Sequence, residues 1–160
     1  TRLADSLTGA GDASTFNSTE GVLYFEGSAL ANSGDKRMVS LSDGTQNNSI
    51  RLYFFETSNQ IAAVIRKGGS TITSDSHNIG EATDNHKFAV KWSENDVALW
   101  VDGVEVDTEF SFSTFTANTL NTLNFSRGTG TTDLFQGKVK DLRTYNTALT
   151  DAELITLTTL

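Results

Sequence analysis

Three acids in Glu105-Val106-Asp107-Thr108-Glu109-Phe110 alternate with less polar residues. On an extended strand Glu105, Asp107 and Glu109 would share one face. Retaining glycoside hydrolysis needs two carboxyls about 5 to 5.5 Å apart, a distance that positions i and i+4 of a strand do not set by themselves. The other reading is an ordinary half-buried strand: Val104, Val106, Thr108 and Phe110 inward, the acids in water. A second group of residues suits binding rather than bond cleavage. In Val97-Ala98-Leu99-Trp100-Val101 the apolar set Val97, Leu99 and Val101 takes one face and turns Trp100 to the other. There a flat indole stacks on a sugar ring unless a loop or the terminal segment covers it. Tyr53 is a second candidate ring, and Arg51 and Arg66 offer charge-assisted hydrogen bonds to hydroxyl, carboxylate or sulfate groups. Ser42-Asp43-Gly44-Thr45-Gln46-Asn47-Asn48 holds hard oxygen donors, which makes Asp43 and Asn47 candidate calcium ligands. His77 and His86 lack zinc spacing with each other, and no Gly-x-Ser-x-Gly elbow or phosphate-binding Gly-Lys-Ser/Thr loop occurs.

These side chains need rigid supports, and the pattern predicts strands almost throughout. Period-two alternation runs over Gly21 to Ser28, Lys36 to Leu41, Ser49 to Glu56, Gln60 to Lys67, His86 to Ser93, Val97 to Asp102, Val104 to Phe110, Leu120 to Ser126 and Phe135 to Asn146. Ile50, Leu52 and Phe54 share one face of their strand, while Arg51, Tyr53 and Phe55 share the other. Asp102-Gly103 between two alternating runs is the strongest short hairpin signal, so residues 86 to 110 form a three-stranded meander. Ser42 to Asn48, Ser70 to Asn85 and Arg127 to Asp133 read as polar surface loops. At the end, Thr150-Asp151-Ala152-Glu153 has the spacing of a capping box. A short helix therefore starts near Asp151, and Leu154, Ile155 and Leu157 dock it on the strands.

Composition agrees. The 160 residues include 23 Thr, 16 Ser and 12 Asn, with 13 Gly, one Met and no Pro. Thr, Phe, Val and Ile favour pleated sheet, and Asn, Asp and Gly make turns without Pro. One domain, residues 1–160, fits this length. The net charge of −8 repels phosphate backbones, which argues against nucleic acid as a partner. No apolar run approaches the roughly 20 residues of a membrane span, so no membrane insertion is expected. Absence of Cys removes disulfides and thiolate sites from consideration. The start at Thr1, with neither Met nor a secretion signal, reads as a module cut from something longer.

The stretch Phe135-Gln136-Gly137-Lys138-Val139-Lys140-Asp141-Leu142-Arg143-Thr144-Tyr145-Asn146-Thr147-Ala148-Leu149-Thr150-Asp151-Ala152-Glu153-Leu154 resembles the closing strand and terminal helix of laminin G-like and pentraxin-like domains of the concanavalin A-like superfamily. His86-Lys87-Phe88-Ala89-Val90-Lys91-Trp92 followed by Leu99-Trp100-Val101-Asp102-Gly103-Val104 is similar to their central hairpin. Thr1-Arg2-Leu3-Ala4-Asp5 with Glu20-Gly21-Val22-Leu23-Tyr24 looks like the opening of such modules in phage tail and virion proteins. The resemblance implies an all-β antiparallel sandwich, a concanavalin A-like jelly roll with one short C-terminal helix. It also implies calcium held by loops in some relatives, and attachment to a host surface or polysaccharide in phage-like ones. Glu105, Asp107 and Glu109 resemble the acidic strand of laminarinase-type glycoside hydrolases, the first Glu as nucleophile and the last as acid/base.

A fold does not name a chemistry. The expectation is a non-catalytic carbohydrate-binding or adhesion module, extracellular or on a virion, with a glycan or polysaccharide as partner. Trp100, Tyr53, Arg51 and Arg66 would hold it, with calcium the one cofactor suggested. One alternative is a structural decoration domain that forms a homo-oligomer within a larger assembly. Another is a glycoside hydrolase using the Glu105-Asp107-Glu109 strand.

Overall fold

A computed structural model describes residues 9–32, 34, 37–55, 59–109, 111–129 and 131–160. The opening Thr1 to Asp5, together with Lys36, Glu56 and Phe110 among the strand assignments, lies outside them. Among the described residues ten strands and one helix follow in chain order. They are β1 (Gly21–Ala29), β2 (Arg37–Ser42), β3 (Ser49–Phe54), β4 (Gln60–Lys67), β5 (Ser70–Asn78), β6 (His86–Ser93), β7 (Asp96–Val101), β8 (Val104–Glu109), β9 (Thr122–Asn124), β10 (Gly137–Tyr145) and α1 (Asp151–Thr158).

Two antiparallel sheets result, the first in the order β10-β1-β6-β7-β8 and the second in the order β5-β4-β3-β2-β9. Alternation decides which side chains meet between them. Leu23 and Phe25 of β1, Phe88, Val90 and Trp92 of β6, and Val97, Leu99 and Val101 of β7 face Val39, Leu41, Ile50, Leu52, Phe54, Ile61 and Ile65 across one core. Aromatic rings tie the layers together: Phe25 lies 5.1 Å from Phe88 and 5.2 Å from Phe135, and Phe88 lies 5.5 Å from Phe54 of the opposite sheet. Such tilted and edge contacts are worth about 0.5–1.5 kcal/mol each beyond area burial.

The polar stretch at 70–78 is a strand, not the expected loop. Its composition, Ser-Thr-Ile-Thr-Ser-Asp-Ser-His-Asn, lacks an apolar face because β5 is the edge of its sheet and mostly exposed. Gly68 and Gly69, at φ +58° and +84°, form the two-residue turn that delivers it to β4, and Gly-Gly between strands is a hairpin signal. Asp102, at φ +48°, opens the corresponding turn between β7 and β8, as the Asp-Gly pair predicts.

The first sheet's outer face is apolar and α1 closes it. Thr150 accepts from the Glu153 amide, and Glu153 Oε2 accepts from the Thr150 amide at 2.8 Å, the reciprocal capping box. Leu154 then sits fully buried on Val22, Tyr24, Ala89, Ala98 and Trp100. Leu149 and Leu157 pack at its margin, whereas Ile155 faces solvent, a position the expected sticky side had included. Polar contacts finish the dock: Lys87 Nζ donates to Thr159 O at 2.7 Å, and Lys91 lies 3.0 Å from Asp96 and 3.5 Å from Asp151.

His86 pins the end of this sheet. Its Nδ1 lies 2.6 Å from Asp102 Oδ2 and its Nε2 lies 3.0 Å from Glu81 O, and both partners are acceptors. Both ring nitrogens must therefore donate, which requires the imidazolium. Burial pushes the His86 pKa down, but the hydrogen bonds to Asp102 and Glu81 outweigh it and hold the value above the ordinary 6.5.

Two outcomes follow from these contacts. Leu154→Ala should cost about 2–5 kcal/mol, since a fully buried side chain leaves a cavity beneath the helix; urea denaturation measures it. For His86, a raised folded pKa means stabilisation that is complete below about 6.5 and fades as pH rises through the folded value. A falling urea midpoint over that window, absent in His86→Gln, is the expected signature.

Candidate functional site

Trp100 points away from the core as alternation requires, yet it does not offer a stacking face. Its ring lies under α1 against Tyr24, Ala98 and Leu154 and is 4% exposed. Alternation fixes the side of a strand, and the capping box supplies the helix that seals it. The expected indole platform is thereby overturned.

Tyr53, Arg51 and Arg66 do come together, on the outer face of the second sheet. In the β3–β4 register Arg51 pairs with Val64, Tyr53 with Ala62 and Ser49 with Arg66, so the two arginines are diagonal neighbours on one face. Tyr53 is packed among Met38, Ala62 and Val64, with its ring 5.8 Å from Phe55. At 5% exposure it too lacks an open face for a sugar. Arg51, equally buried, donates from Nε to Ser49 Oγ at 2.9 Å and from Nη2 to Gln46 O at 3.1 Å. Arg66 donates to the Gly69 carbonyl at the β4–β5 turn.

A third guanidinium arrives from a loop that sequence reasoning left without a role. Ser40 and Ser42 of β2 face outward beside Arg51 and fasten the segment after β9. Ser40 Oγ donates to Ser126 O at 2.6 Å, Ser42 Oγ donates to Gly128 O at 2.9 Å, and Gly128 N donates to Ser40 Oγ at 2.9 Å. This lays Arg127 over the sheet, paired with Asp133. Burial, then the charges of Arg127 and Arg66, pull the Arg51 pKa down to about 10, the mark of cations crowded at low dielectric. Arg66 and Arg127 each keep a buried Nε–H that no acceptor among the described residues takes. A buried donor without a partner costs about 1–3 kcal/mol. What sequence could have shown is Arg127 within Ser126-Arg127-Gly128-Thr129, the one cation in that Gly- and Thr-rich run.

Asp43 and Asn47 do not fit a calcium ion. Asp43 Oδ1 accepts from Thr45 N at 2.8 Å and from Thr45 Oγ1 at 2.6 Å, and Oδ2 accepts from Asn48 Nδ2 at 2.8 Å. Burial pushes the Asp43 carboxyl up, but these hydrogen bonds prevail and hold it below the usual range. Asn47 meanwhile accepts from Gly69 N through its backbone carbonyl. Both residues shape a turn, and among the described residues no group of three His, Cys, Asp or Glu converges on one point.

The acidic strand is divided by a bulge. Register shifts between Leu99 and Trp100, so Glu105 pairs with outward Trp100 while Asp107 and Glu109 pair with inward Leu99 and Val97. Glu105 instead shares its face with Thr108, whose hydroxyl donates to it. Val104 is 59% exposed, and Val106 is the residue that packs on the core. Neither the shared acidic face nor the complete inward set of Val104, Val106 and Thr108 survives. Beside α1, a mainly apolar groove of about 490 Å³ is lined by Tyr145, Leu149, Ala152, Glu153, Thr156 and Leu157. Its acid, Glu153, is engaged in the capping box.

Residues 28–155 match the family profile described as the concanavalin A-like lectin/glucanases superfamily. The chain belongs to that superfamily. No curated protein matches it. Solved structures share its fold. The CBM40 domain of the Ruminococcus gnavus IT-sialidase bound to α2,3 sialyllactose is 16% identical, with TM-score 0.72, and the match covers 99% of this chain and 97% of that one. A variant of the NanB sialidase from Streptococcus pneumoniae is 17% identical at TM-score 0.72, covering 97% of this chain but 27% of that one. Domain 4 of the extracellular arabinanase AbnA from Geobacillus stearothermophilus, in complex with arabinotriose, is 13% identical at TM-score 0.65, covering 92% and 70%.

For a member of a superfamily that includes glucanases, the state of the acidic strand matters. Burial, then the hydrogen bond and charge of Asp75 on edge strand β5, push the Asp107 pKa up to about 6. The folded value exceeds the ordinary 3.8, so its contribution is complete below about 3.8 and lost as pH rises through about 6. Above that, two carboxylates repel across the sheet edges. Asp107→Asn should therefore raise the urea midpoint at neutral pH, and the difference from wild type should vanish in acid.

Proposed function

We propose that this domain is a non-catalytic carbohydrate-binding module that takes an acidic sugar at the guanidinium cluster on the outer face of its second sheet. The observation that carries the reading is the grouping of Arg51, Arg66 and Arg127 in a chain of net charge −8. Crowding three cations is unfavourable, and two of them leave buried donors unused. A carboxylate relieves the crowding, because its oxygens accept charge-assisted hydrogen bonds in the planar geometry that guanidinium offers. The sialyllactose bound by the R. gnavus domain carries such a group, which supports the choice of ligand.

Arg66 and Arg127, only partly buried, meet the ligand, while Arg51 beneath them adds charge. Affinity then rests on ion pairing, in place of the ring stacking that Trp100 and Tyr53 had suggested. An acidic strand whose bulge turns Glu105 away from Asp107 and Glu109 argues against hydrolysis. Among the described residues no helix is long and apolar enough to cross a membrane. An extracellular setting, on a cell-surface or virion protein, suits a module whose modest single-site affinity is multiplied by several copies.

A glycan array of matched neutral and acidic oligosaccharides, followed by calorimetry, tests this. Binding should favour the acidic members and weaken with salt, and Arg66→Ala should lower affinity about tenfold, the loss expected for one charge-assisted contact. Silence across the array, or undiminished affinity in a folded Arg66→Ala variant, overturns the proposal. A defined oligomer in light scattering without glycan binding would favour the decoration-domain reading.

A further inference from the structure

The cluster already carries one carboxylate of its own. Asp133 pairs through Oδ2 with Arg127 Nη2, and its charge also acts on Arg51. Two of the three guanidinium groups thus share this acid. The segment bearing it is held firmly at both ends. Near Arg127, residues Ser126 and Gly128 are locked to Ser40 and Ser42, and a Cβ at position 128 would stand 2.5 Å from Thr45 O. Beyond it, Arg127 N donates to Thr132 O at 2.8 Å and Phe135 N donates to Phe125 O at 3.0 Å, closing a narrow loop. Asp133 itself adopts φ +49°, a left-handed conformation costly for most residues but accessible to Asp and Asn. The side chains of Arg127 and Asp133 are 30% and 25% exposed, which puts the pair at the solvent edge of the cluster, where an incoming ligand arrives.

We propose that Asp133 is a built-in counter-ion, a carboxylate that stands on the arginine cluster in the free protein and is displaced by the carboxylate of the ligand. The inference rests on the acidic-sugar reading of this face and adds its regulation. Asp133 lets the chain fold with three crowded cations before any ligand is present. It also sets specificity, because displacing it leaves Arg127 unpaired unless the newcomer brings an anion. A neutral sugar does not, whereas an acidic one exchanges one ion pair for another. Affinity is correspondingly lower than the bare cluster would give.

Asp133→Asn is the direct test, since Asn tolerates the same backbone conformation and removes only the charge. Affinity for 3′-sialyllactose should rise about 5- to 10-fold while that for lactose stays unchanged. Unchanged or weaker binding of sialyllactose by a variant with wild-type circular dichroism overturns the proposal. Should the variant not fold, the side-chain carboxyl carbon of Asp133 in the wild-type protein is observed by NMR: its resonance should move on saturation with sialyllactose, and a fixed resonance overturns the proposal. If neither protein binds any acidic glycan, the ligand reading fails by itself. Sulfate then probes the counter-ion: it should raise the thermal midpoint of Asp133→Asn more than that of wild type, and equal rises count against Asp133.

Discussion

Cations gathered at the edge of an apolar layer set the terms for the second sheet. Arg51 lies on the reverse side of a strand whose other face, Ile50, Leu52 and Phe54, fills the core. Its guanidinium therefore cannot retreat into the sandwich, and the loops above it deny it free hydration. Withdrawing a charge from water costs several kcal/mol unless partners replace the solvent. Ser49 Oγ and Gln46 O are two such partners, and Asp133 supplies charge. The serines at 40 and 42, fully buried on this face, hold the loop that brings both the third arginine and its acid.

The two outer faces meet opposite fates for reasons written in their side chains. On the first sheet the small residues Ala89 and Ala98 leave a shallow bed around Tyr24 and Trp100, and Leu154 of α1 fills it. Burial of a large aromatic there is worth a few kcal/mol, so the fold gains more from covering Trp100 than from exposing it. On the second sheet the centre is Ser, Arg and Tyr, and a loop rich in Gly and Thr covers it partly. The proposed binding site lies on the face that packing leaves incompletely satisfied.

Period-two alternation made the core strands legible, because each of β1, β3, β4, β6 and β7 has one face against the other sheet. The helix was legible from Thr150 and Glu153, whose reciprocal hydrogen bonds depend on local spacing alone. β5 was not, since an exposed edge strand needs no apolar face, although Gly68-Gly69 marked the turn into it. Nor was the bulge at Leu99 and Trp100, which leaves the composition of β8 untouched and yet reverses the facing of its last acids. Arg51 and Arg66 were legible as candidate cations, but the β3–β4 register makes them neighbours, and Arg127 joins them through contacts between residues 86 positions apart. Pattern tells which way a side chain points; what lies over it depends on distant chain.

A positive centre inside an acidic molecule also shapes how a ligand is met. The surrounding net charge of −8 repels an anion at long range, and the effect is screened beyond a Debye length of about 8–10 Å at physiological salt. Encounter is therefore not steered toward the site from afar, unlike the fast association of proteins with complementary fields. Discrimination instead arises at contact, where partial burial strengthens each guanidinium–carboxylate interaction relative to water. Such a site gains little from a polyanion that merely accumulates near the surface. On the proposed reading it gains from one acid group, presented singly on a neutral sugar chain, that meets Arg66 and Arg127 together.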